Sequence, residues 1–157
     1  MLAEIGFIAT LLAFLTAIYA TIAGIVGGRR HDERIILSAR NAALATFPLL
    51  LVAAGMLLIG LMTEQYQISY VWMTTEPSTP AFYRFTALWG SQQGSILFWS
   101  LLMSAFMAGA LVLNWRSHYR LMPYATAFMA ATVAFFVGIN LTLENPFDRY
   151  WVWEGRD

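Results

Sequence analysis

Long apolar windows separated by short polar segments are the dominant pattern along this chain. Uncharged, mainly apolar windows cover residues 5–26, 42–62, 95–113 and 122–143. Because a helix needs about 20 apolar residues to cross about 30 Å of hydrocarbon, each window is long enough for one transmembrane helix. The remaining segments are short. The pattern therefore predicts an all-α integral membrane protein in which residues 1–157 form a single membrane domain with four transmembrane helices.

The connection between the second and third windows contains a different pattern. Apolar and polar residues alternate from Tyr66 to Trp72, which is typical of a short strand or of an interfacial segment. After two prolines, apolar residues recur at helical spacing from Phe82 to Trp89. This spacing predicts a short amphipathic interfacial helix before the third span. An aromatic belt that anchors the bundle and a platform for a flat apolar ligand or a partner protein are both compatible with these residues.

Small residues and tryptophans predict how the third helix sits. Ala105 and Gly109 are four residues apart, as are Gly90 and Gly94, so these edges suit close approach of a neighbouring helix. Trp99 and Trp115 stand about 24 Å apart along a continuous helix, close to the thickness of the hydrocarbon. They are predicted to anchor the helix at the two membrane interfaces. Pro48 is expected to kink the second helix, and Pro123 to occupy the first turn of the fourth.

Composition and charge agree with a membrane protein and predict its orientation. The chain is 59% hydrophobic and 11% charged, with a net charge of zero and no lysine. Six of its nine arginines lie in the two connections that share one side, so the positive-inside rule predicts that both termini and residues 63–94 are extracytoplasmic. The windows contain no acidic or basic residue, which argues against a proton relay or ion path. The absence of cysteine excludes a thiol relay or iron–sulfur site made by this chain, and no nucleic-acid partner is expected.

The two histidines are the obvious candidates for metal or haem ligands. His31 and His118 both fall in the arginine-rich connections, and neither has a second ligand at helical spacing. We therefore interpret both as solvated loop residues, and expect no metal site and no catalytic residue in this chain.

One stretch resembles a known family. The segment PSTPAFYRFTALWGSQQGSILFW, followed after two spans by ENPFDR and by the terminal EGRD, is similar to the opening portion of the CcmF/NrfE family. These proteins are multi-pass haem lyase subunits of bacterial cytochrome c maturation. The resemblance covers essentially the whole chain, and its W-G-x-x-x-G-S-x-L-x-W core is specific. Gln93 stands where the family usually has glutamate, so a carboxylate function at this position is missing or supplied elsewhere.

The resemblance implies a function in the bacterial inner membrane. The complete assembly would use haem b and join it to the CxxCH thiols of an apocytochrome c on the extracytoplasmic side. Its partners would be the remainder of the lyase, a CcmH-type subunit, the haem chaperone CcmE and membrane lipid. The residues that match the family here, expected to shape a haem or partner docking surface, are Pro80, Tyr83, Arg84, Trp89, Gly90, Gln93, Gly94, Ser95, Trp99, Asn145, Pro146 and Phe147.

The family's haem-binding features are expected outside this chain. Its tryptophan-rich WWD signature and haem-ligating histidines come from later segments, and Trp151 and Trp153 are only a partial imitation of that signature. The chain is therefore expected to be a fragment or split subunit that gives scaffold and docking surface, and whether it is itself an enzyme stays open. The competing hypothesis is a structural or assembly subunit of another membrane complex without a haem role.

Overall fold

Four long helices dominate the structure, a computed structural model that describes residues 1–76 and 78–148. They are α1 (Leu2–Arg30), α2 (Glu33–Met62), α5 (Gln92–Asn114) and α6 (Met122–Thr142). All four are long and apolar enough to cross a membrane. Within the described residues there is no β-strand, so the predicted all-α class and the four spans are confirmed.

Three short helical segments connect α2 to α5. They are α3 (Ser69–Thr74), α4 (Ala81–Thr86) and a 3-10 helix (Ala87–Trp89). The strand alternative for the segment from Tyr66 to Trp72 is wrong, because most of it belongs to α3. The helix expected from Phe82 onward is present as α4 and the 3-10 helix. Its location at a membrane surface stays a prediction.

Helices α1 and α2 extend beyond their apolar windows because polar residues continue them at the arginine-rich turn. His31 ends α1 in the left-handed conformation, at φ 53°, and its backbone N–H donates to Gly27 O. Asp32 caps α2 at once, accepting the N–H of Arg34 at 2.9 Å. His31 and Asp32 thus reverse the chain. The polar residues that follow them belong to α2 rather than to a loop. Pro123 lies in the first turn of α6, as predicted.

Small residues pack the helices together. Helix α1 contacts α2 and α6, and α5 contacts the same two helices from the other side. The buried face of α1 contains Ala13, Ala17 and Ala20, and a Cβ at Gly24 would lie 2.7 Å from Pro123 O. Because lipid offers little hydrophobic driving force, such close approach supplies the packing energy. A Cβ at Gly109 would meet no atom within 4 Å, so Gly109 itself makes no close approach to a neighbouring helix in the described residues.

The connections divide the bundle into two chemically different ends. We call the end with residues 63–91 and 143–148 the aromatic end, and the end with residues 29–40 and 115–121 the arginine-rich end. Trp115, at the latter, is buried beneath the guanidinium of Arg40, 4.8 Å from the ring centroid. It therefore packs against protein, and its predicted position at a membrane interface stays a prediction. Trp99, by contrast, is exposed on α5.

Candidate docking surface at the aromatic end

A buried tyrosine holds the aromatic end together. Tyr70 on α3 is 1% exposed, and its hydroxyl donates to Ala87 O at 2.5 Å, with Leu88 O at 3.3 Å. Burial raises the pKa of Tyr70, so the hydroxyl remains a donor. The Tyr70 side chain therefore holds the 3-10 helix, which contains Trp89, against α3.

The glycine–serine part of the motif fits around this tyrosine. A Cβ at Gly94 would come within 3.0 Å of both Leu88 O and the Tyr70 hydroxyl, so only glycine lets α5 begin here. One residue later, the Ser95 hydroxyl donates to Trp89 O at 2.8 Å. Gly90 ends the 3-10 helix and donates its N–H to Ala87 O at 3.1 Å. The small residues of the motif are thus spacers and donors that hold the turn before α5.

An asparagine joins α6 to the same turn. Asn140 is 1% exposed, and its Nδ2 donates to Gln93 O at 3.1 Å and to Glu144 O at 3.2 Å. Its Oδ1 has no hydrogen-bond partner. Gln93 therefore contributes its backbone carbonyl to the structure. Because this contact uses no side-chain atom, glutamine and glutamate are equally suited to it.

The segment after α6 closes the end of the bundle. Asn145 accepts the N–H of Phe147 at 3.1 Å and donates to the Asp148 carboxylate at 2.8 Å. Phe147 and the preceding Pro146 are buried, and the Phe147 ring lies where a Cβ on Gly6 of α1 would stand. Asp148 O accepts the Ser69 N–H at 2.8 Å. These contacts tie α1, α3 and the end of α6 into one unit.

An ion pair fixes α4. Arg84 pairs with Glu64, and its Nε donates to Thr79 O at 2.8 Å. Pro80 caps α4, with its carbonyl accepting from the Tyr83 N–H at 2.9 Å and from the Arg84 N–H. The Arg84 side chain is largely covered while the Glu64 side chain is more open to solvent. The pair therefore positions α4 over the end of α2 rather than forming an open charged patch.

The scaffold presents a row of exposed rings. Trp72 is 64% exposed, Phe82 is 71% and Tyr83 is 62%. Beside them, Trp89 packs between Phe85 and Phe98, with ring centroids 5.4 and 5.6 Å away. Exposed apolar area of this kind marks a contact site for protein, ligand or lipid. We call this row the aromatic surface; its members are Trp72, Phe82, Tyr83, Phe85 and Trp89.

A cavity adjoins the aromatic surface. It has a volume of about 380 Å³ and is lined by Tyr66, Trp72, Thr75 and Glu76. The Tyr66 hydroxyl is buried without a hydrogen-bond partner. Burial, together with the nearby Glu64 carboxylate, raises the pKa of Tyr66, so this hydroxyl stays protonated as a hydrogen-bond donor.

The structure brings nearly all the predicted site residues to this one end. Trp99 lies further down α5, exposed on its outer side. His31 and His118 are exposed at the arginine-rich end, so the aromatic end as described contains no histidine. No cluster of three potential metal ligands occurs in residues 1–76 and 78–148. The tail with Trp151 and Trp153 lies outside the described residues.

Sequence reasoning missed the two residues that hold the site. Tyr70 was visible only as one ring among several, and its long-range partners at Ala87 and Leu88 leave no local pattern. The sequence did contain a signal for Asn140. A single amide in an apolar helix must find hydrogen-bond partners or bear a desolvation cost.

Comparisons with known proteins identify relatives along almost the whole chain. The chain is 32% identical to the cytochrome c-type biogenesis protein CycK of Rhizobium meliloti over 149 residues, covering 95% of this chain and 22% of that protein. It is 29% identical to CcmF of Escherichia coli, covering 100% of this chain and 25% of the relative. The chain thus spans about a quarter of the length of the curated relatives it matches. No protein-family profile matches it.

The fold has a solved counterpart. The structure of the cytochrome c haem lyase CcmF superposes with a TM-score of 0.86 at 22% identity, over 94% of this chain and 25% of that one. At this identity the structural similarity establishes the fold. The sequence matches show that the proteins are related. With four apolar helices and these relatives, the chain is an integral inner-membrane protein. It belongs to the CcmF/CycK/NrfE group of cytochrome c-type biogenesis proteins, of which it represents an N-terminal portion.

Proposed function

We propose that this chain is the scaffold and docking part of a haem lyase that attaches haem covalently to CxxCH apocytochromes. Residues 1–157 would form one membrane domain of that larger assembly. The proposal rests on the agreement between the sequence relatives of the chain and its structure. The residues of the W-G-x-x-x-G-S motif interlock at one end of the bundle, and beside them lies a row of exposed rings.

The arginine distribution supports the orientation. All six arginines of the two connections lie at one end of the bundle, which the positive-inside rule assigns to the cytoplasm. The aromatic surface and both termini then face the extracytoplasmic space. That is where an apocytochrome, a CcmH-type subunit and the haem chaperone CcmE would be met.

The described residues fit contact with the face of haem rather than ligation of its iron. Flat, uncharged rings such as those of Trp72 and Phe82 suit a planar apolar group or an apolar protein surface. Imidazole ligands are absent from the described part of the aromatic end. Haem b would therefore be held by the remainder of the lyase. This chain's residues would orient and cover one side of the site and exclude water from it.

Preorganisation is the physical contribution we assign to the buried scaffold. The Tyr70 and Asn140 hydrogen bonds and the Arg84–Glu64 pair hold α3, α4 and the 3-10 helix in place before any partner arrives. A surface that is already ordered loses little conformational entropy on binding, so more of the contact energy appears as affinity.

Deletion and complementation test the proposal. A strain that lacks the chain should lose covalently bound haem from its c-type cytochromes, measured by haem staining of denatured gels, and re-expression should restore it. Normal haem attachment in the deletion strain would refute the proposal and favour an assembly subunit of another complex. As a control, total membrane haem should be retained, because the deletion is expected to block attachment rather than haem synthesis.

A further inference from the structure

We propose that a cavity at the arginine-rich end binds the phosphate of an anionic phospholipid. The cavity has a volume of about 370 Å³ and lies where the turn after α1 meets the turn before α6. Its polar lining consists of His31, Tyr119, Arg120 and Tyr124. This inference does not depend on the proposed haem lyase function.

The lining is a set of hydrogen-bond donors. The Arg120 guanidinium presents a planar fork of N–H groups that matches phosphate oxygens, and the imidazole and two phenols add further donors. Partial desolvation, and to a smaller extent the Glu33 carboxylate, raises the pKa of Tyr119, which keeps its hydroxyl protonated. The left-handed backbone at His31 fixes where its side chain leaves the turn.

The start of α6 adds a positive partial charge to the same cavity. Pro123 and Tyr124 belong to its first turn, which has no side-chain cap. In this turn the Met122 N–H donates to His118 O at 3.1 Å, Pro123 has no N–H, and the Ala125 N–H donates to Leu121 O at 2.9 Å, which leaves the Tyr124 N–H as the donor at the start of α6. This N–H group and the helix dipole both favour an anion.

The net charge of this end points the same way. Six arginines face two carboxylates, those of Asp32 and Glu33, which leaves an excess of four positive charges. Asp32 is already engaged as the cap of α2. In the described part of the chain, the two ion pairs join the N-terminus to Glu4 and Arg84 to Glu64, so neither neutralises these arginines. Basic pockets between transmembrane helices are suited to anionic headgroups.

The surroundings favour a lipid over free phosphate. Tyr124 and Phe128 lie one turn apart on the same face of α6. Phe128 also lines an apolar groove of about 480 Å³ between α5 and α6, together with Phe106 and Met107. An acyl chain can therefore run along α6 from a headgroup held in the cavity.

Lipid titration of the full-length protein tests the proposal. The protein is placed in phosphatidylcholine nanodiscs with increasing phosphatidylglycerol, and retained lipid is counted by native mass spectrometry. The variant Arg120→Gln should bind phosphatidylglycerol about tenfold more weakly, because it removes a charge-assisted contact. The matched control is Arg116→Gln, which removes an exposed arginine of the same turn that does not line the cavity.

The affinities of these variants decide the question. Selective loss in Arg120→Gln supports the site, whereas equal affinity in the two variants overturns it. If Arg120→Gln does not fold, Tyr124→Phe replaces it: a several-fold loss supports the proposal, and unchanged affinity refutes it. An inorganic phosphate titration separates the sources. Phosphate binding without a preference for phosphatidylglycerol over phosphatidylcholine would show a free-phosphate site and would contradict the lipid assignment.

Discussion

The substitution Gly94→Ala tests the central packing contact of the aromatic end. The added methyl group would lie within 3.0 Å of Leu88 O and of the Tyr70 hydroxyl, and 2.7 Å from Tyr70 Cζ. Leu88 O is a backbone atom, and Tyr70 is buried and hydrogen-bonded to Ala87 O, so neither can move without disturbing the turn. The variant must therefore displace the 3-10 helix or the start of α5.

The expected loss of stability is large for one methyl group. Overpacking in a filled site costs about 1–3 kcal/mol. Leaving the Tyr70 hydroxyl buried without its acceptor costs about another 1–3 kcal/mol. We expect the free energy of unfolding, measured by reversible denaturation in mixed detergent micelles, to fall by about 2–6 kcal/mol in total.

A second glycine on the same helix provides the control. A Cβ at Gly109 meets no atom within 4 Å, so Gly109→Ala should be neutral or stabilising by about 0.5–1 kcal/mol. In a Tyr70→Phe background, Gly94→Ala should cost less, because one of the clashing atoms is gone. Equal stability of Gly94→Ala and Gly109→Ala would refute the reasoning.

Other variants test the remaining contacts of the aromatic end by the same denaturation. Asn140→Leu should lose about 1–3 kcal/mol, because it removes the two hydrogen bonds that Asn140 donates to Gln93 O and Glu144 O, whereas exposed Asn114→Leu should not; equal effects would argue against the bridge. Phe147→Ala should cost about 3–5 kcal/mol, and a loss no greater than that of exposed Phe106→Ala would contradict its place in the core. Gln93→Glu should change stability by less than about 0.5 kcal/mol, since only its carbonyl is engaged; a larger change would mean that its side chain is structural.

The apolar windows predicted the helices because span length is a local property of the sequence. The windows predicted the first residues of the helices less well. Helix α2 begins at Glu33, nine residues before the apolar window at residue 42, because Asp32 caps it and polar residues continue the helix out of the hydrocarbon. Hydropathy records where lipid ends, whereas backbone hydrogen bonding decides where a helix ends.

Partners distant in sequence explain what local reasoning could not supply. Four-residue spacing of small residues identified the close contact at Gly94, whereas a Cβ at Gly109 would meet no neighbour, because the pattern does not say which edge meets another helix. Trp115 has the spacing of an interface anchor, yet Arg40 from α2 covers it. The family resemblance located the site residues at one end, and only the fold showed Tyr70 as the residue that organises them.

Haem attachment by stable surface variants tests the central claim most directly, namely that the aromatic surface docks haem or a maturation partner. The variant Phe82→Ala/Tyr83→Ala removes two exposed rings, and the matched control Phe106→Ala/Phe135→Ala removes two exposed rings on α5 and α6. At equal abundance in the membrane, haem staining of c-type cytochromes should fall about tenfold or more in the first variant, from the lost apolar contact, and stay normal in the control. Normal haem attachment in Phe82→Ala/Tyr83→Ala, or an equal loss in both variants, would contradict the account.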